Sequence, residues 1–116
     1  MWPEELADDI AQADNAEELH NIAVFLEDPD PLALVLEHPA LDVGTALLAY
    51  WRLRRAAIVW TTADALLEHA ERLLRSGKLP SVVAYEPIGD PHNEELIRAP
   101  RWGIPDVLMR PTPAVS

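Results

Sequence analysis

The sequence predicts a small all-α protein, a compact array of five to six short helices around a central apolar helix, with a proline-rich C-terminal segment wrapped over them. Two stretches carry apolar residues at helical spacing, and a third is apolar on most sides. Seven of the eleven prolines fall between Pro80 and Pro113, too many for a long element. We expect one domain over residues 1–116, with a helical core in 1–78 and residues 79–116 packed on it.

Caps and prolines mark the first two helices. Pro3 suits the first turn of a helix, so we expect a helix over residues 3–12. Asn15 and Glu18 have the spacing of a capping box and predict the start of a second helix. That helix is expected to end near Asp28, because the residue before a proline disfavours the helical conformation.

A short third helix and the central fourth helix follow. Asp30 is the expected cap of a helix over residues 31–36, with a proline at its first position. Asp42 is the expected cap of the fourth helix, which has so little polar surface that it should be buried. Gly44 in its first turn suggests close approach of another backbone.

The fifth helix is the clearest amphipathic segment of the chain. Thr61 or Thr62 is the expected cap, and Gly77 is the expected stop after Ser76. In the proline-rich segment, Asp90 is expected to start a short helix that ends at residue 97 or 98. The interspersed apolar residues of this segment predict an ordered wrap, since a free tail would be more uniformly polar.

Composition and charge exclude several classes of function. The chain has no cysteine, which removes disulfides, thiolate nucleophiles and cysteine-rich metal sites. No secretory signal or membrane-length apolar run is present, so we expect a cytoplasmic protein without membrane association. The formal net charge of −11 opposes binding to nucleic-acid phosphates.

The negative charge is concentrated in one part of the chain. Residues 1–42 contain twelve Asp and Glu and no Lys or Arg, whereas the remaining residues contain eight acidic and nine basic residues. Arg52, Arg54 and Arg55 cluster at the end of the fourth helix. We expect them to complement the helix dipole and to hold the acidic N-terminal helices against the core through ion pairs.

Local patterns for catalysis, metals or cofactors are missing. The glycines are too scattered for a phosphate-binding loop, and no two histidines lie one helical turn apart. We therefore expect no enzyme, no catalytic residue, no metal and no cofactor. Glu17 and His20 have the spacing of a di-iron site, but the second pair is missing, and we interpret His20 as an exposed helix residue beside a glutamate.

The segment His38-Pro39-Ala40-Leu41-Asp42-Val43-Gly44-Thr45-Ala46-Leu47, followed by Tyr50-Trp51, resembles the signature of a small bacterial family, domain of unknown function four-two-seven-four. The matched positions are His38, Asp42, Gly44 and Thr45. Short acidic families of this kind are often encoded beside secreted toxins, so the resemblance implies an immunity protein. A turn followed by a helix start also accounts for the four residues, and we favour that structural interpretation over a ligand site.

Our first hypothesis is a binding protein that neutralises a basic partner, which the resemblance implies to be a toxin domain. An acidic surface that faces a basic one accelerates association and disfavours wrong partners. The candidate partner-binding residues are Glu17, Glu27, Asp28, Asp30 and Glu37. The competing interpretation is a solvated face that only confers solubility. The oligomeric state is open.

A hypothesis from a different class is a small enzyme or metabolite-binding domain. Its site would be assembled from separated segments, for instance from His38, Asp42, Trp60 and Trp102. This hypothesis predicts a concave pocket with converging polar groups and shifted carboxylate pKa values. A smooth acidic surface would favour the binding protein.

Overall fold

The computed structural model describes residues 4–98 and Leu108. Among these residues there is no strand, and the predicted all-α array is confirmed. Its elements are α1 (Glu4–Ala11), α2 (Ala16–Ala23), α3 (Pro29–Leu36), α4 (Val43–Ala56), α5 (Ala63–Ser76), a 3₁₀ turn (Pro91–Asn93) and α6 (Glu94–Arg98). No helix in this part of the chain has both the length and the apolar character that crossing a bilayer requires.

The central helix of the core is α4, as the sequence predicted. It packs against α5, α3 and α2. Eleven of its fourteen residues are buried, and Leu48, Trp51 and Leu53 have no exposed surface. Since each fully buried large apolar side chain contributes roughly 1.5–3 kcal/mol, α4 is a main source of the hydrophobic stabilisation.

The end of α2 differs from the prediction. The helix ends at Ala23 and does not continue to Asp28. The chain tightens there, because the N–H of Phe25 donates to the carbonyl of Ile22 at 3.2 Å and the N–H of Leu26 donates to that of Ala23 at 3.0 Å. Bonds across three residues are of the 3₁₀ type and turn the chain out of the α-helix.

The start of α3 also differs from the prediction. Asp28 is the N-cap residue and Pro29 the first helical residue, two positions before the expected cap at Asp30. Pro31 is accommodated as well, because the N–H groups of the first helical turn need no partner within the helix. The side chain of Asp28 makes no capping hydrogen bond.

Two predicted helix ends are confirmed. The side chain of Asn15 caps α2 by accepting the N–H of Glu18 at 2.9 Å. The return bond of the capping box is displaced, because Glu18 Oε2 accepts the N–H of Asp14 at 2.7 Å. Gly77 ends α5 with a φ of 70°, a left-handed conformation that glycine adopts without the strain of a Cβ atom.

Asp42 caps α4 and also holds the proline-rich segment. Its side chain is fully buried, and Oδ1 accepts the N–H of Thr45 at 3.0 Å, as predicted. Oδ2 accepts the N–H groups of Val82 at 3.1 Å and Val83 at 2.6 Å. The carboxylate that starts the central helix therefore fixes the beginning of the C-terminal segment as well.

The proline-rich segment packs on the helices where the structure describes it. Tyr85 and Leu96 are buried, and the 3₁₀ turn contacts α4. Trp51 donates its indole N–H to the carbonyl of Leu108 at 2.8 Å. Apart from Leu108, the part of the predicted wrap beyond residue 98 lies outside the described residues.

His20 is buried, which corrects its interpretation as an exposed residue. Its Nδ1 lies 3.0 Å from Oγ1 of Thr45, and its ring meets that of Tyr85 edge-on with centroids 6.1 Å apart. Burial lowers the pKa of His20 below its ordinary value of 6.5, although the nearby Asp42 opposes this shift and Arg52 adds to it. His20 is thus a neutral core residue at pH 7.

Replacing Asp42 with asparagine should lower the free energy of unfolding by about 2–4 kcal/mol, because an amide N–H₂ group would face buried N–H donors. Urea unfolding measures this change. The matched control is Thr62→Ala, since Thr62 occupies the N-cap of α5 without a side-chain capping bond. We expect the control to stay within about 0.5 kcal/mol of the wild type, and equal effects of the two changes would refute the role given to Asp42.

The free energy of unfolding should fall as the pH drops below the ordinary histidine pKa of about 6.5. In that range the unfolded chain protonates His20 while the folded chain keeps it neutral, so acid favours unfolding. Urea unfolding at about pH 7.5 and about pH 5.5 measures the loss. His20→Gln removes this contribution, and the same loss in both proteins would contradict the assignment.

Candidate functional site

Arg52 on α4 joins three parts of the chain. Its Nη1 donates to Asp90 Oδ2 at 2.9 Å, and its Nη2 donates to the carbonyl of Val24 at 3.3 Å. The side chains of the ion pair are only 5% and 11% exposed. Because Val24 directly follows α2 and Asp90 precedes the 3₁₀ turn, this guanidinium fixes both segments against the end of α4.

Arg52 has the predicted internal role, but its predicted ion-pair partners are wrong. Its carboxylate partner is Asp90 in the proline-rich segment, and its contact with the N-terminal half is the carbonyl of Val24. Arg55 donates from Nη1 to the carbonyl of His92 at 3.0 Å. These two arginines therefore hold the C-terminal segment and form no ion pair with the exposed acidic residues of 8–42.

Asp90 is held in its ionised form by a network of donors. The hydroxyl of Tyr85 donates to Oδ2 at 2.7 Å, and the N–H of His92 donates to Oδ1 at 3.0 Å. Burial raises the pKa of Asp90, but the hydrogen bonds from Tyr85, His92 and Arg52 outweigh burial and lower it from 3.8 to about 2. Burial and the bond to Asp90 raise the pKa of Tyr85.

These contacts frame a cleft of about 230 Å³ at the C-terminal end of α4. We call it the α4 cleft. One wall is the end of α4 with the loop that follows it, a second is the chain just before α3, and a third is the 3₁₀ turn. Its lining residues are Glu27, Asp28, Arg52, Arg55, Ala56, Val59, Trp60 and His92.

Large apolar side chains are exposed around the α4 cleft. Val59 and Trp60 line it and are 75% and 50% exposed, and the preceding Ile58 is 52% exposed. Phe25, next to the residue whose carbonyl accepts from Arg52, is 85% exposed. Single exposed apolar residues are ordinary, but three consecutive ones beside a cleft are typical of a binding surface.

Most acidic side chains of the N-terminal half are free on the surface. Of the ten acidic residues in 8–42, only Asp42 is buried. Within the described part of the chain, no exposed one forms an ion pair. The exposed residues are Asp8, Asp9, Asp14, Glu17, Glu18, Glu27, Asp28, Asp30 and Glu37.

The five predicted partner-binding residues are all exposed, but the structure brings only two of them into one site. Glu27 and Asp28 line the α4 cleft. Glu17 lies on α2, Asp30 in the first turn of α3, and Glu37 just after α3, outside the cleft lining. Each of these three carboxylates adds to the negative field of the surface without contributing to the cleft.

Sequence reasoning missed two features of this surface. His92 forms part of the cleft, and its Nδ1 lies 3.1 Å from Oδ1 of Asp90. Asp9 and Glu18 line a second, shallow groove of about 340 Å³ beside α1 and α2. Neither feature has a local sequence signal, because each depends on segments that only the fold brings together.

The four family-motif residues have structural roles. Asp42 and Thr45 are fully buried in the cap of α4, where Thr45 also contacts His20. Nδ1 of His38 accepts the N–H of Ala40 at 2.9 Å within the preceding turn. Gly44 is buried in the first turn of α4.

The alternative site proposed from the sequence is not assembled. Asp42 precedes the first residue of α4 and Trp60 follows its last, so the fourteen-residue helix separates them by about 21 Å. Trp102 lies outside the described residues. Segments that are distant in the sequence do meet at the α4 cleft, but of the four side chains of the alternative site only Trp60 lines it among the described residues.

No protein-family model, curated protein or solved structure matches the chain. Among residues 4–98 and Leu108, no group of three or more histidine and acidic side chains is arranged to hold a metal ion.

Replacing Arg52 with methionine should lower the free energy of unfolding by about 3–5 kcal/mol, because it leaves the largely buried carboxylate of Asp90 without its cationic partner. The matched control is Arg55→Met, where the loss of an exposed side chain should cost less than about 1 kcal/mol. Urea unfolding of both variants measures the difference. Similar losses would show that Arg52 is no more important than its exposed neighbour.

Proposed function

We propose that this protein is an acidic binding module that neutralises a basic protein partner, as an immunity protein does for a toxin. One observation carries the proposal: nine exposed carboxylates in residues 8–42 lack ion-pair partners among the described residues, and residues 1–42 contain no Lys or Arg. A cationic partner can pair with these groups without first breaking internal ion pairs.

The physical advantage of such a surface is fast and selective association. Exposed charges act over about 8 Å at physiological ionic strength, so carboxylates spread over neighbouring elements attract a basic surface together. Such attraction raises association rates by about 10-fold to 1,000-fold and disfavours acidic partners. Rapid capture is what neutralising a toxin requires.

The immunity role in particular comes from the resemblance of residues 38–47 to a small bacterial family. Those residues form the buried start of α4, so the resemblance concerns the scaffold and the partner-binding surface lies elsewhere. This arrangement suits an immunity protein, whose fold can persist while its exposed residues adapt to a particular toxin.

A small-molecule site is the second candidate function, and one contact favours it. The Nδ1 of His92 lies 3.1 Å from Asp90 Oδ1, and His92 lines the α4 cleft beside Arg55. A carboxylate that orients a histidine is found in many acid–base sites. Asp90 also caps the 3₁₀ turn, however, and the cleft is smaller than the roughly 300–1,000 Å³ of common ligand pockets.

Neutralisation can be tested by co-expression in bacteria with the product of the gene adjacent to its own. The proposal predicts that this product arrests growth and that the wild-type protein restores it. Replacing the five predicted partner-binding residues with their amides should reduce affinity for that product by about tenfold or more, and the loss should shrink at high salt. Binding is measured by calorimetry with the purified proteins.

A matched control keeps the same net charge. It carries five amide substitutions outside the acidic half, at Asp64, Glu68, Glu71, Glu86 and Glu94. The control should bind the partner as tightly as the wild type does if the location of the acidic residues, and not only the net charge, determines binding. Equal losses in the two variants, or growth arrest that the wild-type protein does not relieve, would contradict the proposal.

A further inference from the structure

We propose that the α4 cleft is the docking point of the basic partner, and that it receives an apolar side chain of a polypeptide segment with Lys or Arg next to it. This inference rests on the proposed function and specifies where the partner is held. Three features carry it: exposed apolar residues, free carboxylates on one wall, and a basic residue on another wall.

The apolar features supply the anchor. Val59 and Trp60 lie in the lining and are 75% and 50% exposed, although the same chain buries Trp51 completely. Protein interfaces concentrate their binding energy in a few such residues near the centre, with tryptophan strongly enriched. A half-exposed indole beside a concave surface is thus the natural contact for an inserted aliphatic or aromatic side chain.

The carboxylates define the charge of the occupant. Glu27 and Asp28 line the same cleft, and neither forms an ion pair with the described residues. Asp28 is the N-cap residue of α3, yet its side chain makes no capping bond, so its oxygen atoms remain available. A lysine or arginine beside the inserted side chain can pair with this wall.

The wall formed by α4 carries the basic residue that sets the direction of the occupant. Arg55 is exposed, lines the cleft, and is held there by its bond to the carbonyl of His92. It repels a cation on its own side, whereas the charge of Arg52 is already balanced by Asp90. A basic segment is therefore favoured in one orientation, with its charge toward Glu27 and Asp28.

A second copy of this chain is a poor occupant. Two copies that met through this cleft would bring their Glu27 and Asp28 carboxylates into one interface, and each copy carries a formal charge of −11. Like charges at an interface cost binding energy. The same repulsion disfavours an acidic partner.

Three synthetic peptides of equal length test the occupant. The first is rich in lysine with a central leucine, the second has serine in place of that leucine, and the third replaces the lysines of the first with glutamates. Binding to the full chain is followed by the NMR signal of the Trp60 indole N–H, assigned with Trp60→Phe. We expect the first peptide to bind at least about tenfold more tightly than the other two.

Two pairs of variants locate the contact. Peptide affinities of the variants are measured by calorimetry, because Trp60→Ser removes the indole signal. Trp60→Ser should weaken binding of the first peptide about tenfold, while Val82→Ser, an exposed apolar change at the other end of α4, should leave binding unchanged. The double change Glu27→Gln with Asp28→Asn should weaken binding of the first peptide more than the double change Asp8→Asn with Asp9→Asn does. The second pair removes the same charge from α1. Arg55→Gln should bind the peptide as tightly as the wild type or more tightly.

The outcomes separate this inference from the proposed function. Equal losses in the two double variants with no effect of Trp60→Ser would overturn the docking point and keep a diffuse acidic binding surface. No binding of either basic peptide would contradict both proposals. Preference for the acidic peptide, or a dimer of the wild type that Trp60→Ser dissociates, would also overturn the inference.

Discussion

The ion pair of Arg52 with Asp90 links the central helix to the proline-rich segment. An arginine that is almost completely buried must have its charge balanced, and here Asp90 supplies the balance at 2.9 Å. Its Nη2 reaches the carbonyl of Val24 at 3.3 Å, so the same group also contacts the residue that follows α2. One buried charge on the central helix thus sets the positions of the chain before α3 and of the 3₁₀ turn, which are two walls of the α4 cleft.

That pairing also determines the charge of the surface. If Arg52 had paired with a carboxylate of the N-terminal half, part of the negative charge of residues 1–42 would have been neutralised internally. Because Asp90 takes this role, the surface keeps nine exposed carboxylates that make no ion pair within the described residues. The pairing of Arg52 with Asp90 therefore has two effects. It balances a buried charge in the core, and it leaves the exposed acidic residues without this arginine as a partner.

Local physical chemistry made much of the fold predictable. The sequence predicts the caps at Asn15 and Asp42 because these side chains bond to backbone groups three residues away. It predicts the helix end at Gly77 because glycine adopts the left-handed conformation without strain. The end of α2 could not be predicted in this way. No residue near Ala23 in the sequence indicates the 3₁₀-type turn or the hydrogen bond from Arg52 to the carbonyl of Val24.

The site was harder to predict than the fold. Glu27 and Asp28 could be selected from the sequence as exposed acidic residues next to a proline corner. Their proximity to Trp60 and His92 could not be predicted, because the three segments are separated by tens of residues and meet only in the folded protein. The burial of His20 was missed for the same reason, because Thr45 and Tyr85 enclose it from distant positions.

If unpaired negative charge on this surface attracts a basic polypeptide, as we propose, the association rate constant depends on ionic strength. The rate can be followed by stopped-flow tryptophan fluorescence with the lysine-rich peptide that carries a central leucine, at increasing salt. We expect the rate constant to fall by about tenfold or more between low and physiological ionic strength, since screening weakens long-range attraction. A rate constant that stays constant or rises with salt would show that this negative charge does not attract the peptide.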